Sequence, residues 1–481
     1  MFSSMSSRRD FLRNCGLLAA GTTLGGLNFE AFASNSPSTA ESLFAAGDYE
    51  PLKGIKFPIR SLKAQTDKQI SYVVVGAGNR GNVYSRYAKR FPENAKIVGV
   101  SDINEFRLKK MADAHNVPQE NRFGDYHEIM AAPKLADAMV ISLPDDLHYE
   151  ACMLALAKGY HVLLEKPIAQ TEKECRNILA QSRKYNRIVA VCHVLRYAPY
   201  FIALREVVRS GLIGDVVSIQ HLEPIEATHM AHSYVRGNWH SSKATTPIIL
   251  AKSCHDLDII RWILDKPCKR VAAEGSLYYF KAANAPEGAP MRCTDGCPHA
   301  DSCPFDAVRL YGKLKQRRSV LDLDGKASVE EVVAKLKTTD YGRCVFHCDN
   351  DQPDHYVTTL EFEDGVTASF SMEAFTPWGG RRTRIMGTKG YIEGDMKEFV
   401  VTDFISRKGK IWNMDVEEVP EYKGAGHGGG DLALFRDFVE AVAYEDPTRL
   451  TSNIEASVES HIIGFMCEKS RLSGKKAEVK I

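Results

Sequence analysis

At 481 residues the chain has room for two or three domains, each with its own core, which excludes a single small module. Hydrophobic residues make up 44% and charged residues 26%, ordinary proportions for a globular protein. Lys plus Arg (62) nearly balances Asp plus Glu (61), so bulk charge gives no support to binding of nucleic acid or an anionic membrane.

Residues 1–33 differ from the rest. A positive start at Arg8 and Arg9, a weakly apolar run from Cys15 to Leu27 and an Ala31-Phe32-Ala33 end predict a signal peptide cleaved before Ser34. The run is too short and too rich in Gly and Thr for a membrane span. Ser7-Arg8-Arg9-Asp10-Phe11-Leu12 resembles the twin-arginine signal, whose pathway exports folded proteins, so a periplasmic or otherwise exported location is expected. Residues 34–66 mix Ser, Pro, Ala and charges without a sustained period and read as a linker or surface arm.

From about residue 67 to His193, apolar runs such as "SYVVVG", "ADAMVISLP", "YHVLLEKP" and "RIVAVCH" alternate with helix-like segments. Buried strands alternating with helices predict a parallel sheet covered on both faces. The region 194–481 has a different pattern. In "VTTLEFEDGVTASFSMEAF", Val366, Ala368, Phe370 and Met372 fall on one face and Thr367, Ser369, Ser371 and Glu373 on the other, the signature of an antiparallel sheet with one polar face. The closing segments return to helical spacing. The fold class expected is α/β, a Rossmann domain followed by a second α/β domain.

Gly76, Gly78 and Gly81 form G-x-G-x-x-G directly after a strand and at a helix start, and Asp102 ends the next strand. Glycines let backbone approach a pyrophosphate, the helix N-terminus stabilises its charge, and an acid at Asp102 can bind ribose hydroxyls. That acid repels a 2′-phosphate, so NAD is favoured over NADP. Around the turn, Asn79, Arg80, Pro144, His148, Glu165 and Lys166 complete the expected cofactor pocket, although His148 also suits a structural role at a helix start. Lys166, at a strand's carboxyl edge, points toward the crevice where doubly wound sheets bind ligands.

These motifs, with "SLPDDLHYEACMLALAKGYHVLLEKPIA", "VLRYAP", "GLIGDV" and "SCHDLDIIRWIL" in this order, resemble the glucose-fructose oxidoreductase / inositol dehydrogenase / rhizopine catabolism family (Gfo/Idh/MocA) from about Ile70 onward. The resemblance implies a C-terminal domain with an open, mainly antiparallel sheet, often facing a neighbouring subunit in a dimer or tetramer. It also implies nicotinamide-dependent oxidation or reduction of sugars and polyols. By the same resemblance Lys166 is the active-site Lys, His255 the general acid/base and Asp258 a contact to substrate hydroxyls. Many relatives carry an Asp four residues before this His. Here that position is Ala251, with Lys252 beside it as a third catalytic candidate. Arg196 and Tyr197 match a position near the nicotinamide crevice, where substrate contact and an interdomain hinge are both open. His427 and Asp431, on a Gly-rich loop, are candidates for lining the pocket.

Twelve cysteines are present, and Cys293, Cys297, Cys303, Cys344 and Cys348 crowd into an insertion at about 285–350. Their spacing is compatible with disulfides, free thiols, a structural zinc or an iron-sulfur cluster. The function expected is that of an exported oxidoreductase acting on a carbohydrate or polyol hydroxyl. Its NAD is expected to stay bound and be recycled. The alternatives are a redox-neutral NAD-dependent glycosidase and a non-catalytic sugar-binding accessory protein.

Overall fold

The computed structural model describes residues 49–323, 325–414, 420–422 and 426–481, so the signal-peptide reading and the first part of the linker reading, residues 34–48, lie outside the described residues. A short strand β1 (Glu50–Pro51) comes first. Continuous aliphatic runs then build a sheet from β2 (Ile70–Val75), β3 (Ala95–Ser101), β4 (Arg122–Phe123), β5 (Ala138–Ile141), β6 (His161–Leu164) and β7 (Val189–Val191). All pairings are parallel, in the order β4-β3-β2-β5-β6-β7. The order reverses between β2 and β5, and a crevice above the carboxyl ends of these strands is where such sheets bind ligands.

Both faces of this sheet are covered. On one face Tyr72 and Val74 share a core with Ala433, Leu434, Phe435 and Phe438 of the helix Gly430–Tyr444. On the other, Val73 and Val75 pack in a core that includes Ile454, Val458 and Ile462 of the helix Ile454–Ser473. The chain therefore returns at its end to complete the layers of its first domain.

The second sheet contains β1 with β8 (Val216–Pro224), β9 (Cys268–Ser276), β10 (His355–Phe362), β11 (Thr367–Glu373), β12 (Arg382–Gly387), β13 (Gly390–Gly394), β14 (Glu398–Asp403), β15 (Gly409–Asn413) and β16 (Ala477–Glu478). It is mainly antiparallel, and among the described residues its parallel pairings are β1–β15 and β8–β11. Ala368, Phe370 and Met372 are buried under helices, while the intervening polar residues of β11 lie on the open face. The alternation read from sequence thus sets the register of the sheet against its core.

The described part of the arm is docked. Leu52, Leu62 and Ala64 are buried, and Arg60 bonds Asp437 and Glu440. The Cys-rich insertion has a small core of its own, Ala307, Tyr311, Leu321, Val332 and Leu336. Its helix Val329–Thr338 starts from a reciprocal capping box between Ser328 and Glu331. Among the described residues no helix is long and apolar enough to cross a membrane.

Candidate active site

The turn after β2 is shaped by close backbone approach. Gly76 sits at φ +91°, and a Cβ there would lie 2.5 Å from the carbonyl oxygen of Ser142 after β5. A Cβ on Gly81 would lie 2.1 Å from the carbonyl of Gly76. Beside Gly78 the space is open, with Arg107 Nη1 the nearest neighbour at 3.9 Å. Asn82 Nδ2 donates to the carbonyls of Ala77 (2.8 Å) and Gly78 (2.9 Å), and Ser142 Oγ donates to that of Gly76 (2.7 Å). The helix Asn79–Arg90 begins here with neither a side-chain cap nor an acid in its first turn, leaving N–H groups for an anion. Asp102 accepts from the amides of Ala77 and Asn104, each at 2.7 Å, which fixes its carboxylate at the end of β3. A braced turn, an open glycine face and an uncapped helix start fit a dinucleotide pyrophosphate, with Asp102 placed for a ribose.

Arg80 turns away from that cradle. Its guanidinium bonds Glu165 (2.5 Å), the Tyr84 hydroxyl (2.5 Å) and Asp431 (2.7 Å), and Tyr84 in turn donates to Glu165 (2.6 Å). Burial alone would raise the Glu165 pKa, but Arg80 and Lys166 overcome it and hold it below the usual range. Glu165 thus joins the Gly-rich turn to the strand end that carries Lys166. His148 has Nδ1 2.7 Å from the Pro167 carbonyl and Nε2 2.9 Å from that of Leu143, so it ties this segment to the turn before Pro144 and acts as a brace. Lys166–Pro167 is a cis peptide.

Across the crevice, the Lys166 ammonium donates to the carbonyl of Ala251 at 2.6 Å. His255, on the helix Cys254–Leu264, is buried, and its Nδ1 has no hydrogen-bond partner. Burial, reinforced by the charges of Lys166 and nearby histidines, holds its pKa well below the ordinary value, so the ring is neutral near pH 7. A neutral imidazole beside an ammonium can accept a hydroxyl proton while the ammonium holds the oxygen. His427, at φ +50° on the Gly-rich loop, brings its ring to within 6.0 Å of the His255 ring, centroid to centroid, at a tilt of 45°. Its Nδ1 lies 3.0 Å from Asp431, whose pKa stays low because His427 and Arg80 outweigh its burial.

Other expected site residues are placed differently. Lys252 does not stand free in the crevice. Its Nζ is 3.0 Å from Glu223, which also meets Arg381 (2.6 Å), and Arg381 bonds Asp256 (2.9 Å), which faces His221 Nε2 (3.0 Å). Two carboxylates and two cations balance within a buried chain, so Lys252 supports the crevice wall. Arg196 and Asp258, expected to touch substrate, are turned to each other in a buried bidentate pair (2.7 and 2.5 Å), with Ser460 donating to Asp258 at 2.7 Å. The Tyr197 hydroxyl is buried 2.9 Å from Ser452 Oγ, and Ser452 donates to the carbonyl of Val191 in β7, so Tyr197 fastens the segment before the helix Ile454–Ser473 to the edge of the first sheet.

The zinc and disulfide readings of the insertion are not met. Cys293, Cys297, Cys303, Cys344 and Cys348 are free thiols, and among the described residues no three His, Cys, Asp or Glu side chains stand together to hold a metal ion. The candidate ligands face backbone instead. Cys348 donates to the Cys344 carbonyl (3.3 Å), His299 lies 2.8 Å from the Glu287 carbonyl and His347 3.1 Å from that of Ala289.

Sequence reasoning missed Asn82, Ser142, Glu223, His229 and Arg381. The first two brace the turn from positions with no motif of their own. Glu223 and Arg381 come from separate strands or strand edges and meet only in the folded sheet. His229 is half-buried within reach of the charges of Lys252, Arg317 and Lys166, and desolvation, followed by those charges, holds its pKa well below the ordinary value.

Comparison with known proteins agrees with this geometry. Residues 70–193 match the family model described as an oxidoreductase family, NAD-binding Rossmann fold, and residues 205–480 match its C-terminal alpha/beta domain. A putative oxidoreductase, YteT of Bacillus subtilis, is 26% identical over 417 residues, covering 81% of this chain and 94% of its own. An inositol 2-dehydrogenase of Klebsiella pneumoniae is 30% identical over 199 residues, covering 41% of this chain and 55% of that relative. An Agrobacterium radiobacter oxidoreductase solved with NAD+, L-tartaric acid and magnesium superposes with a TM-score of 0.61 at 15% identity, covering 86% of this chain and 99% of that one. An oxidoreductase domain protein from Kribbella flavida gives 0.63 at 15% identity, covering 86% and 100%. At such identities the solved structures establish the shared fold alone. The family matches span most of the chain and include the cradle and the Lys166 segment, and the chain belongs to the Gfo/Idh/MocA family of NAD-dependent oxidoreductases.

Proposed function

We propose that the protein oxidises or reduces a hydroxyl-bearing carbon of a polyol, sugar or glycoside. The observation that carries this reading is the approach of Lys166, from the Rossmann strand end that Glu165 joins to the Gly-rich turn through Arg80, to Ala251, four residues before His255. A nicotinamide bound in that crevice would accept or return the hydride. Lys166 would hold the substrate oxygen, and neutral His255 would take or give its proton, with His427 and Asp431 closing the crevice from the Gly-rich loop. The inositol 2-dehydrogenases among the relatives support a polyol as substrate class. Asp102 favours NAD over NADP.

Three further readings belong to this proposal. The twin-arginine pattern supports export of the folded protein. Outside the cytoplasm the cofactor would stay bound and be recycled. The open polar face of the second sheet, where Val217 and Val357 are exposed, would meet a second copy of the chain.

The test is a panel of inositols, hexoses and glycosides offered with NAD, read by absorbance of the reduced nicotinamide in wild type and in Lys166→Ala. Reduction by at least one polyol or sugar in wild type, lost in the variant, is expected. Reduction by no member of the panel at saturating NAD would contradict the substrate class.

A further inference from the structure

The insertion does more than decorate the second domain. Its Asp322 reaches the Rossmann domain, where Oδ1 accepts from Arg107 Nε (2.7 Å) and Oδ2 accepts from Arg107 Nη2 (2.9 Å) and Asn104 Nδ2 (2.9 Å). Asn104 caps the helix Glu105–Ala114, and its backbone amide is held by Asp102. Arg107 Nη1 is the group nearest to the open face of Gly78. The pair therefore flanks the space between the glycine turn and Asp102, at the edge of the place expected for the adenosine half of a dinucleotide.

Asp322 is presented on an anchored support. It follows the short helix Arg318–Leu321, whose Leu321 is buried in the insertion's core. Arg318 donates to the carbonyls of Tyr311 (3.1 Å), Gly312 (3.1 Å) and Ala327 (2.8 Å). The insertion is also fixed to the second domain. Arg317 meets Glu226 at 3.3 Å, and buried Arg236 donates to the carbonyls of Arg343 (2.6 Å) and Phe305 (2.7 Å). The insertion is thus a bridge from the substrate-side domain to the rim of the cofactor cradle.

We propose that Asp322 and Arg107 form a clasp that retains the bound dinucleotide and selects against a 2′-phosphate. This rests on the NAD reading above. The clasp acts in two ways. It bridges the crevice at the adenosine end, so the nucleotide leaves only after a bidentate, charge-assisted pair opens. It also engages two of the three Arg107 nitrogens and places a second carboxylate near Asp102, so a 2′-phosphate meets two acids and no free guanidinium fork. Asp322 and Arg107 are positioning and specificity residues and take no part in hydride transfer.

The experiment measures NADH release by stopped-flow fluorescence, and NAD and NADP affinities by calorimetry, in wild type, Asp322→Ala and Arg107→Met. Thermal midpoints of the nucleotide-free proteins check that the variants fold. Both variants are expected to release NADH about tenfold faster or more, as loss of one strong charged pair implies. Only Asp322→Ala, which frees the guanidinium, is expected to gain NADP affinity, a difference that general loosening of the insertion would not produce. Unchanged release and unchanged NADP discrimination in Asp322→Ala overturn the clasp. A wild-type protein that binds neither NAD nor NADH overturns the cofactor reading and the clasp together, so the two failures are distinguishable.

Discussion

Lys166 of the Rossmann domain donates a hydrogen bond to the backbone carbonyl of Ala251 in the C-terminal domain, at 2.6 Å. This fixes the ammonium at the crevice although Ala251 itself has no side-chain acceptor. Lys166→Ala should lower hydride transfer by about a hundredfold to a thousandfold, the range for removing one donor to the reacting oxygen. Nucleotide content, measured on the denatured protein, should not change. Full activity in the variant would remove Lys166 from the reaction.

Arg381 stands between Glu223 and Asp256 in the buried ion chain. Arg381→Ala leaves two buried carboxylates facing Lys252 and His221, and should cost about 3–5 kcal/mol in urea unfolding. Lys252→Met leaves Glu223 still paired with Arg381, so its stability loss should be smaller. Its effect on turnover should also be smaller than that of Lys166→Ala. An equal loss of turnover would return Lys252 to the chemistry.

Buried histidines set the acid side of the stability profile. Burial holds His193 down to about 4 and His461 to about 3, against an ordinary value of 6.5. His461 uses Nε2 to accept from the Ile168 amide (3.0 Å) and Nδ1 toward the Ser457 carbonyl (2.8 Å), an arrangement that requires a neutral ring. Above about pH 6.5 both folded and unfolded chains leave these rings neutral, and their full contribution is present. As pH falls from there toward 4, the unfolded chain binds protons that the folded chain does not, so stability declines. Thermal midpoints across this window should fall for wild type and fall less steeply for His461→Gln.

A methyl group at Gly81 has no room beneath the Gly76 carbonyl. Gly81→Ala should displace the cradle and abolish nucleotide binding in calorimetry, while the far-ultraviolet circular dichroism of the remaining fold persists. Binding at wild-type affinity would mean that the turn can shift without loss of the site.

The Rossmann layers were legible because buried parallel strands and a glycine turn are written in contiguous residues. Val73 to Val75, Gly76 and Asp102 announce their environment locally. The alternation in β11 was legible for the same reason. Arg80 shows where that legibility ends. It sits inside the turn motif, yet its guanidinium turns to Glu165 and to Asp431, the latter 351 residues away, because that buried carboxylate needs a cation. Asp258 and Arg196 are similar, since chemistry suited to a substrate hydroxyl equally suits a buried pair. The reach of Asp322 to Arg107 and the return of the helix Gly430–Tyr444 to the first sheet depend on tertiary packing and leave no local signature.

The most direct test of the central claim is to identify the nucleotide released from the purified, denatured protein by mass spectrometry, before and after incubation with NAD and then with a polyol or sugar from the panel. Wild type should hold NAD and convert it to NADH with an accepted substrate, and Lys166→Ala should hold NAD unconverted. A protein that holds no dinucleotide after incubation with saturating NAD, or one whose Lys166→Ala variant converts it equally well, would contradict that claim.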